Sequence, residues 1–359
     1  MKLHDIILNK KREVASYSDN QTLDAFDLEY CKLIDESEDS FIQNRKDNCI
    51  KLLEKIKSID YVSLFRNAYE EYNEAITYRD LSQICNIINI PEQDNSTPDF
   101  KISFKKHDDD ELYVIYAELK TLGFGDGNLN YFRSQASALK NKAEAEEKLK
   151  KGHKYVFTER VIDPFGVNTR ENTNSSSHDF EDLYSIKYSN TKECIQRIRD
   201  KIVSNYKESQ FSSGDTIMLV DLNQLWYYPR NEDCVAVEKS FNGVGFASGL
   251  LWNVAFGRET DRLYLPPEFE GKPNLENDPI GFNGVLVDCD KIKGLVFISG
   301  RTPDERSLFG FYRQKDQDMS FAYFINSVCT FYNDDRNSFG FNVTKEKCPI
   351  KDKEKLIGE

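Results

Sequence analysis

The 359-residue chain is poor in histidine, with only His4, His107, His153 and His178. None falls in an H-x-H, H-E-x-x-H or H-N-H pattern, which argues against histidine-held metals and ββα-metal nuclease chemistry. The eight cysteines, Cys31, Cys49, Cys85, Cys194, Cys234, Cys289, Cys329 and Cys348, form no C-x-x-C pair and no zinc spacing. They read as reduced thiols of a cytoplasmic protein. No run of eighteen apolar residues exists, so no membrane span is expected. The opening MKLHDIILNKKREV lacks the hydrophobic region and cleavage site of a secretory signal. There is no serine nucleophile elbow, and the glycines of GFGDG (123–127) fit neither the Walker A nor the dinucleotide spacing. No internal repeat is present. Excess positive charge is missing too. A net charge of −13 excludes a chain that is basic all over, while leaving room for a local cationic groove on an acidic body.

What is present centres on Thr97 to Lys120, TPDFKISFKKHDDDELYVIYAELK. Ile102 and Phe104 alternate with polar residues in one arm, Leu112, Val114, Ile115 and Tyr116 enrich the other, and a polar Lys-His-Asp-Asp-Asp run separates them. That is the pattern of a β-hairpin. Facing residues of an antiparallel pair have numbers with a constant sum. A turn centred near His107–Asp109 puts Asp99 opposite Glu118 or one register step away. Side chains two apart share a strand face, so Lys120 joins Glu118. Two carboxylates and an ammonium are thereby expected on one patch. Hard carboxylate oxygens at that spacing suit Mg²⁺, which is bound through one or two carboxylates and retains waters. A lysine beside two carboxylates stays protonated, which suits it to orienting water and stabilising charge. The competing reading makes Asp99 merely the start of a strand and Glu118 and Lys120 a solvated edge.

With Pro98-Asp99 followed by Glu118-Leu119-Lys120, the chain resembles the PD-(D/E)XK nuclease superfamily. The resemblance is specific over about 25 residues and architectural over roughly residues 60–300. It implies that Asp99, Glu118 and the Leu119 carbonyl ligate Mg²⁺, with Mn²⁺ as a substitute, and that Lys120 assists the attacking water. It also implies a further acidic ligand from the preceding helix, where Glu74 and Glu71 are the candidates. A following helix would supply substrate contacts, for which Gln135, Lys140 and Lys142 stand in the stretch 131–152. The implied activity is metal-dependent hydrolysis of DNA phosphodiesters, with RNA left open, leaving a 3′-hydroxyl and a 5′-phosphate. Restriction or anti-phage defence is the implied setting, with a homodimer or a defence partner protein left open.

The remaining segments place this motif in a fold. Residues 1–50 read as an accessory segment with short helical pieces such as Leu23–Ile34. Cys49 to about Ile88 reads as helical, with Leu52, Leu53, Ile56 and Ile59 and then Leu64, Phe65, Ala68, Ala75, Leu81 and Ile84 at helix spacing. A helix is expected over 131–152 with Gly152 as its cap, a strand over His153–Ile162, and a polar insertion over 168–182. A basic helix is expected over Thr191–Tyr206, able to track a phosphate backbone or simply to face solvent, and a buried strand over Thr216–Asp221. Leu225–Tyr228, Cys234–Val237, Gly284–Val287 and Leu295–Ile298 are strand candidates. Segment 243–257 reads as a buried helix or packing segment, the aromatic stretch 309–332 as core, and the lysine-rich tail 344–359 as frayed. The expected fold class is α/β (α+β): a restriction-endonuclease-like αβββαβ core with a mixed sheet flanked by helices. It would occupy 51–300, with an insertion around 121–190, a helical N-terminal decoration and a C-terminal aromatic extension over 301–359. A protein of another class, the same fold with a silent site recruiting a protein or nucleic-acid partner, is the alternative, and the acidic balance favours it.

Overall fold

The computed structural model describes residues 2–14, 23, 25–57, 62–91, 97–105, 111–123, 146–153, 161–163, 166–168, 191–212, 214–225, 229, 239–241, 244–247, 249–265, 274–275, 279–314, 320–335 and 356. Among the described residues four helices come first: α1 (Leu3–Val14), α2 (Leu28–Glu36), α3 (Ser40–Lys55) and α4 (Val62–Ser82). Asp27 and Asp39 cap α2 and α3, each side chain accepting from two main-chain N–H groups of the first turn. Helix α3 runs without a break across residue 50, and its apolar residues Ile42, Cys49, Ile50 and Leu53 are buried with Phe65, Ala68, Tyr69 and Tyr72 of α4.

After α4 the chain enters a seven-stranded sheet. Strands β1 (Asn86–Asn89), β2 (Phe100–Lys105) and β3 (Leu112–Thr121) form an antiparallel meander. β1 falls inside the stretch expected to remain helical to about Ile88. Helix α4 stops at Ser82, and Asn86–Asn89 instead takes up main-chain bonds with β2. A short hairpin, β4 (Val161–Asp163) and β5 (Gly166–Asn168), precedes helix α5 (Thr191–Ser204) and strand β6 (Thr216–Asp221). β6 lies parallel to β3, with Glu118 beside Met218 and Lys120 beside Val220. Strands β7 (Lys239–Phe241), β8 (Val244–Ala247), β9 (Arg262–Leu265) and β10 (Asn274–Leu275) make a separate four-stranded sheet, with helix α6 (Leu250–Phe256) between β8 and β9 in sequence. Helix α7 (Val285–Asp288), strands β11 (Ile292–Ser299) and β12 (Ser307–Tyr312), helix α8 (Ser320–Val328) and strand β13 (Phe331–Asp334) complete the order. The main sheet runs β1-β2-β3-β6-β11-β12-β13, mixed in direction and flanked by helices. The last three strands are therefore integral to the sheet.

The two faces of that sheet have separate cores. Met218, Val220, Leu295, Phe297 and Phe311 pack with α5, α6 and α7 on one face. Leu119, Ile217, Leu219, Val296 and Ile298 pack with α8 and the end of α4 on the other. The aromatic residues of 309–332 belong to these cores, Phe309, Phe311, Phe321, Phe324 and Phe331 all being buried.

Several sequence expectations are revised. Gly284–Val287 is not a strand: Val285–Asp288 is a helical turn with Gly284 at its N-cap. A Cβ on Gly284 would stand 2.6 Å from the Ala255 carbonyl, so the glycine lets this turn sit directly on α6. A short apolar run cannot by itself separate strand from buried helix. Segment 243–257 divides into β8 and α6 at Gly249, whose φ of 94° suits glycine. Leu225 ends a 3₁₀ turn, Asn223–Leu225, while 226–228 and Cys234–Val237 lie outside the described residues. Of the helix expected over 131–152, residues 146–150 are described and helical. Gly152 at φ 94° closes it, with Gly152 N–H bonded to Leu149 O and His153 N–H to Lys148 O. In the tail, Leu356 is bonded through its main chain to Ile84 O and Lys105 N–H, so the chain is docked at this point.

Candidate active site

The register of the hairpin runs from Phe100 beside Ala117 to Lys105 beside Leu112. Continued by one residue it places Asp99 across from Glu118. Because β2 begins at Phe100, the Leu119 N–H has no strand carbonyl there, and Asp99 Oδ2 accepts from it at 2.7 Å. A side chain thus completes the ladder and fixes the Asp99 carboxylate against β3.

Glu118 is 2 % exposed and Lys120 partly buried, and β3 is interior to the sheet, flanked by β2 and β6. The solvated-edge reading is thereby set aside. Lys120 Nζ donates to Glu118 Oε1 at 2.6 Å. Gln210, from the 3₁₀ turn Glu208–Phe211 just before β6, bridges the pair: its Nε2 donates to Glu118 Oε1 and its Oε1 accepts from Lys120 Nζ at 3.2 Å. Both donors converge on one carboxylate oxygen. The other, Glu118 Oε2, is buried and has no hydrogen-bond partner. Burial pushes the Glu118 carboxyl up to about 7, the charge of Asp99 adding and Lys120 opposing. Its register neighbour Met218, and Val220 beside Lys120, belong to an apolar core cluster.

The acidic residues of α4 have a different partner. Arg45 of α3 lies 3.1 Å from Glu71 and 2.8 Å from Glu74, and Asn48 donates to the same Glu71 oxygen at 3.3 Å. Burial pushes the Glu74 carboxyl up to about 8, with Arg45 opposing and Asp99 and Glu71 adding. Glu74 therefore senses Asp99, yet both α4 carboxylates are committed to a guanidinium. Gln135, Lys140 and Lys142 lie outside the described residues. On α5, Lys192 donates to Pro279 O at 2.7 Å, Arg199 to Asn283 O at 3.0 Å and to Asp288, and Lys201 to Gly123 O at 2.6 Å. These cations fasten α5 to the chain around it.

On the far face of β3 a polar chain ties the strand to α4. Asn73 Nδ2 donates to Thr121 Oγ1 at 2.9 Å, Arg306 Nη2 donates to Thr77 Oγ1 at 2.9 Å, and Tyr30 OH donates to Asp80 Oδ2 at 2.8 Å. Arg306 Nε lies 2.9 Å from Asp80 Oδ2 as a charge contact outside hydrogen-bond alignment. Thus α4 is anchored one residue beyond Lys120.

The donor set suits a hard divalent cation. Glu118 Oε2 is a buried acceptor lacking a donor, and the Asp99 carboxylate bears on it electrostatically. Among the described residues no group of three or more His, Cys, Asp or Glu side chains is arranged to hold a metal, so side chains offer at most the two carboxylates that Mg²⁺ commonly takes. Sequence reading missed Gln210 and Arg45. No protein-family model, no curated protein and no solved structure matches the chain.

Proposed function

We propose that the chain is a Mg²⁺-dependent nuclease of the PD-(D/E)XK kind, hydrolysing DNA phosphodiester bonds at the end of β3. The observation that carries this is the unpartnered, buried Glu118 Oε2 beside Asp99, with Lys120 two residues on. The order of elements is consistent with it: helix α4, the β1-β2-β3 meander, helix α5, then β6 parallel to β3. Glu118, Asp99 and the Leu119 carbonyl would hold the ion. When bound, it lowers the pKa of a coordinated water and neutralises phosphate charge. Gln210 and Glu118 hold the Lys120 ammonium in one place, so its charge is fixed before substrate arrives. Lys120 orients the attacking water and stabilises negative charge on the phosphate.

The second reading, a partner-recruiting protein with a silent site, draws on the net charge of −13 and the internal engagement of the α5 cations. The two separate on metal binding. A nuclease centre gives a Mn²⁺-dependent rise in melting temperature that Asp99→Ala abolishes. A silent site gives no Mn²⁺-dependent rise in either protein.

A further inference from the structure

Two cations, Lys120 and Arg45, stand among the carboxylates near the β3 end, Asp99, Glu118, Glu71 and Glu74. Lys120 takes one oxygen of Glu118 and leaves the other bare. Arg45 takes both α4 carboxylates, Nη1 towards Glu71 and Nη2 towards Glu74. Its guanidinium also lies 5.1 Å from the centre of the Phe41 ring. Phe41 packs on Tyr78 and on Phe100, the residue after Asp99. The guanidinium is thus wedged in place by three groups, and it cannot vacate the position by losing its proton.

We infer that Arg45 is a built-in cation, standing at the α4 carboxylates where a second divalent ion would otherwise bind, so that the centre takes a single divalent ion on its Asp99–Glu118 side. This rests on the proposed metal centre and deepens it, by assigning its ion count to a residue of the N-terminal helices. A second ion on Glu74 would have to displace two ion pairs and a ring contact. Mg²⁺, which gives up its water reluctantly, competes poorly for carboxylates held in that way.

Counting bound Mn²⁺ by calorimetry and by electron paramagnetic resonance tests it, with circular dichroism to verify folding. Wild type should bind about one ion per chain, Arg45→Lys about one, and Arg45→Met about two, the added ion being lost again when Glu74→Gln is combined with Arg45→Met. Glu74→Gln alone, which needs no refolding of the Arg45 site, should leave Mn²⁺ affinity within about threefold of wild type. Two ions in wild type, one ion in a folded Arg45→Met protein, or a tenfold or greater loss of affinity in Glu74→Gln would overturn the inference. No ion in wild type but one in Arg45→Met would keep the role of Arg45 and remove the Asp99–Glu118 centre. No ion in either protein would remove both.

Discussion

Replacing Glu118 by glutamine should raise the stability of the metal-free protein relative to wild type by about 2–3 kcal/mol more at pH 8 than at pH 5. The carboxyl is buried and rises from 4.5 to about 7. Each pH unit of displacement corresponds to about 1.4 kcal/mol, so the folded state disfavours ionising this group by on the order of 3 kcal/mol. The sign follows from proton binding. Between 4.5 and about 7 the folded chain holds this proton more tightly than the unfolded chain, so its contribution to stability falls as pH rises through that window. Glutamine resembles the protonated acid in shape and charge and keeps an acceptor for Lys120 and Gln210. Its amide NH₂ would occupy the position of Oε2, where no acceptor waits, which costs about 1–3 kcal/mol and offsets part of the gain. A net stabilisation of about 1–2 kcal/mol at pH 8 is therefore expected, read as a shift in urea midpoint with chelator present. The reasoning fails if the stability of Glu118→Gln relative to wild type falls from pH 5 to pH 8. That result would mean the ionised carboxylate stabilises the fold.

Mn²⁺ binding should weaken about tenfold for each pH unit below about 7, because the ion needs Glu118 ionised, and level off above pH 8; an affinity constant from pH 5.5 to 8 would contradict this. Gln210→Ala should cost about 1–2 kcal/mol in urea denaturation, since Lys120 and Glu118 lose their shared buried partner, and no loss would show that the bridge is incidental. Arg306→Met should cost about 3–5 kcal/mol by removing the buried charge that faces Asp80 and Asp221, with Asp80 left to Arg79. Adding Asp80→Asn should recover part of that loss, and a double variant no better than the single one would rule out the buried-charge explanation.

The hairpin was legible because its information is local. Alternation in 100–105 and 112–120, with a polar run between, sets both the strand type and the register, and the sum rule follows from that register. The buried strand 216–221 and helix 191–204 were legible for the same reason. β1 was hidden because four residues, Asn86–Asn89, continue the apolar spacing of α4 and are converted to strand only by pairing with β2. Gln210 lies 92 residues from Glu118 in sequence, and only the parallel pairing of β3 with β6 carries the turn before β6 to the carboxylate. Arg45 was invisible for a related reason. Nothing local distinguishes it from other cations, and its role arises from the packing of α3 on α4. Glu71 and Glu74 were legible as acidic residues near the site, while their occupation by that arginine was not.

Cleavage of nucleic acid tests the central claim most directly. Supercoiled plasmid, linear duplex DNA and single-stranded DNA and RNA would be incubated with the purified chain in Mg²⁺ or Mn²⁺, beside Glu118→Gln and Lys120→Ala proteins of verified folding. Cleavage by wild type of at least one DNA substrate, abolished by chelator and lost in both variants, is the predicted result. Cleavage that survives Glu118→Gln and Lys120→Ala, or no cleavage of any substrate together with no bound Mn²⁺, would contradict the account.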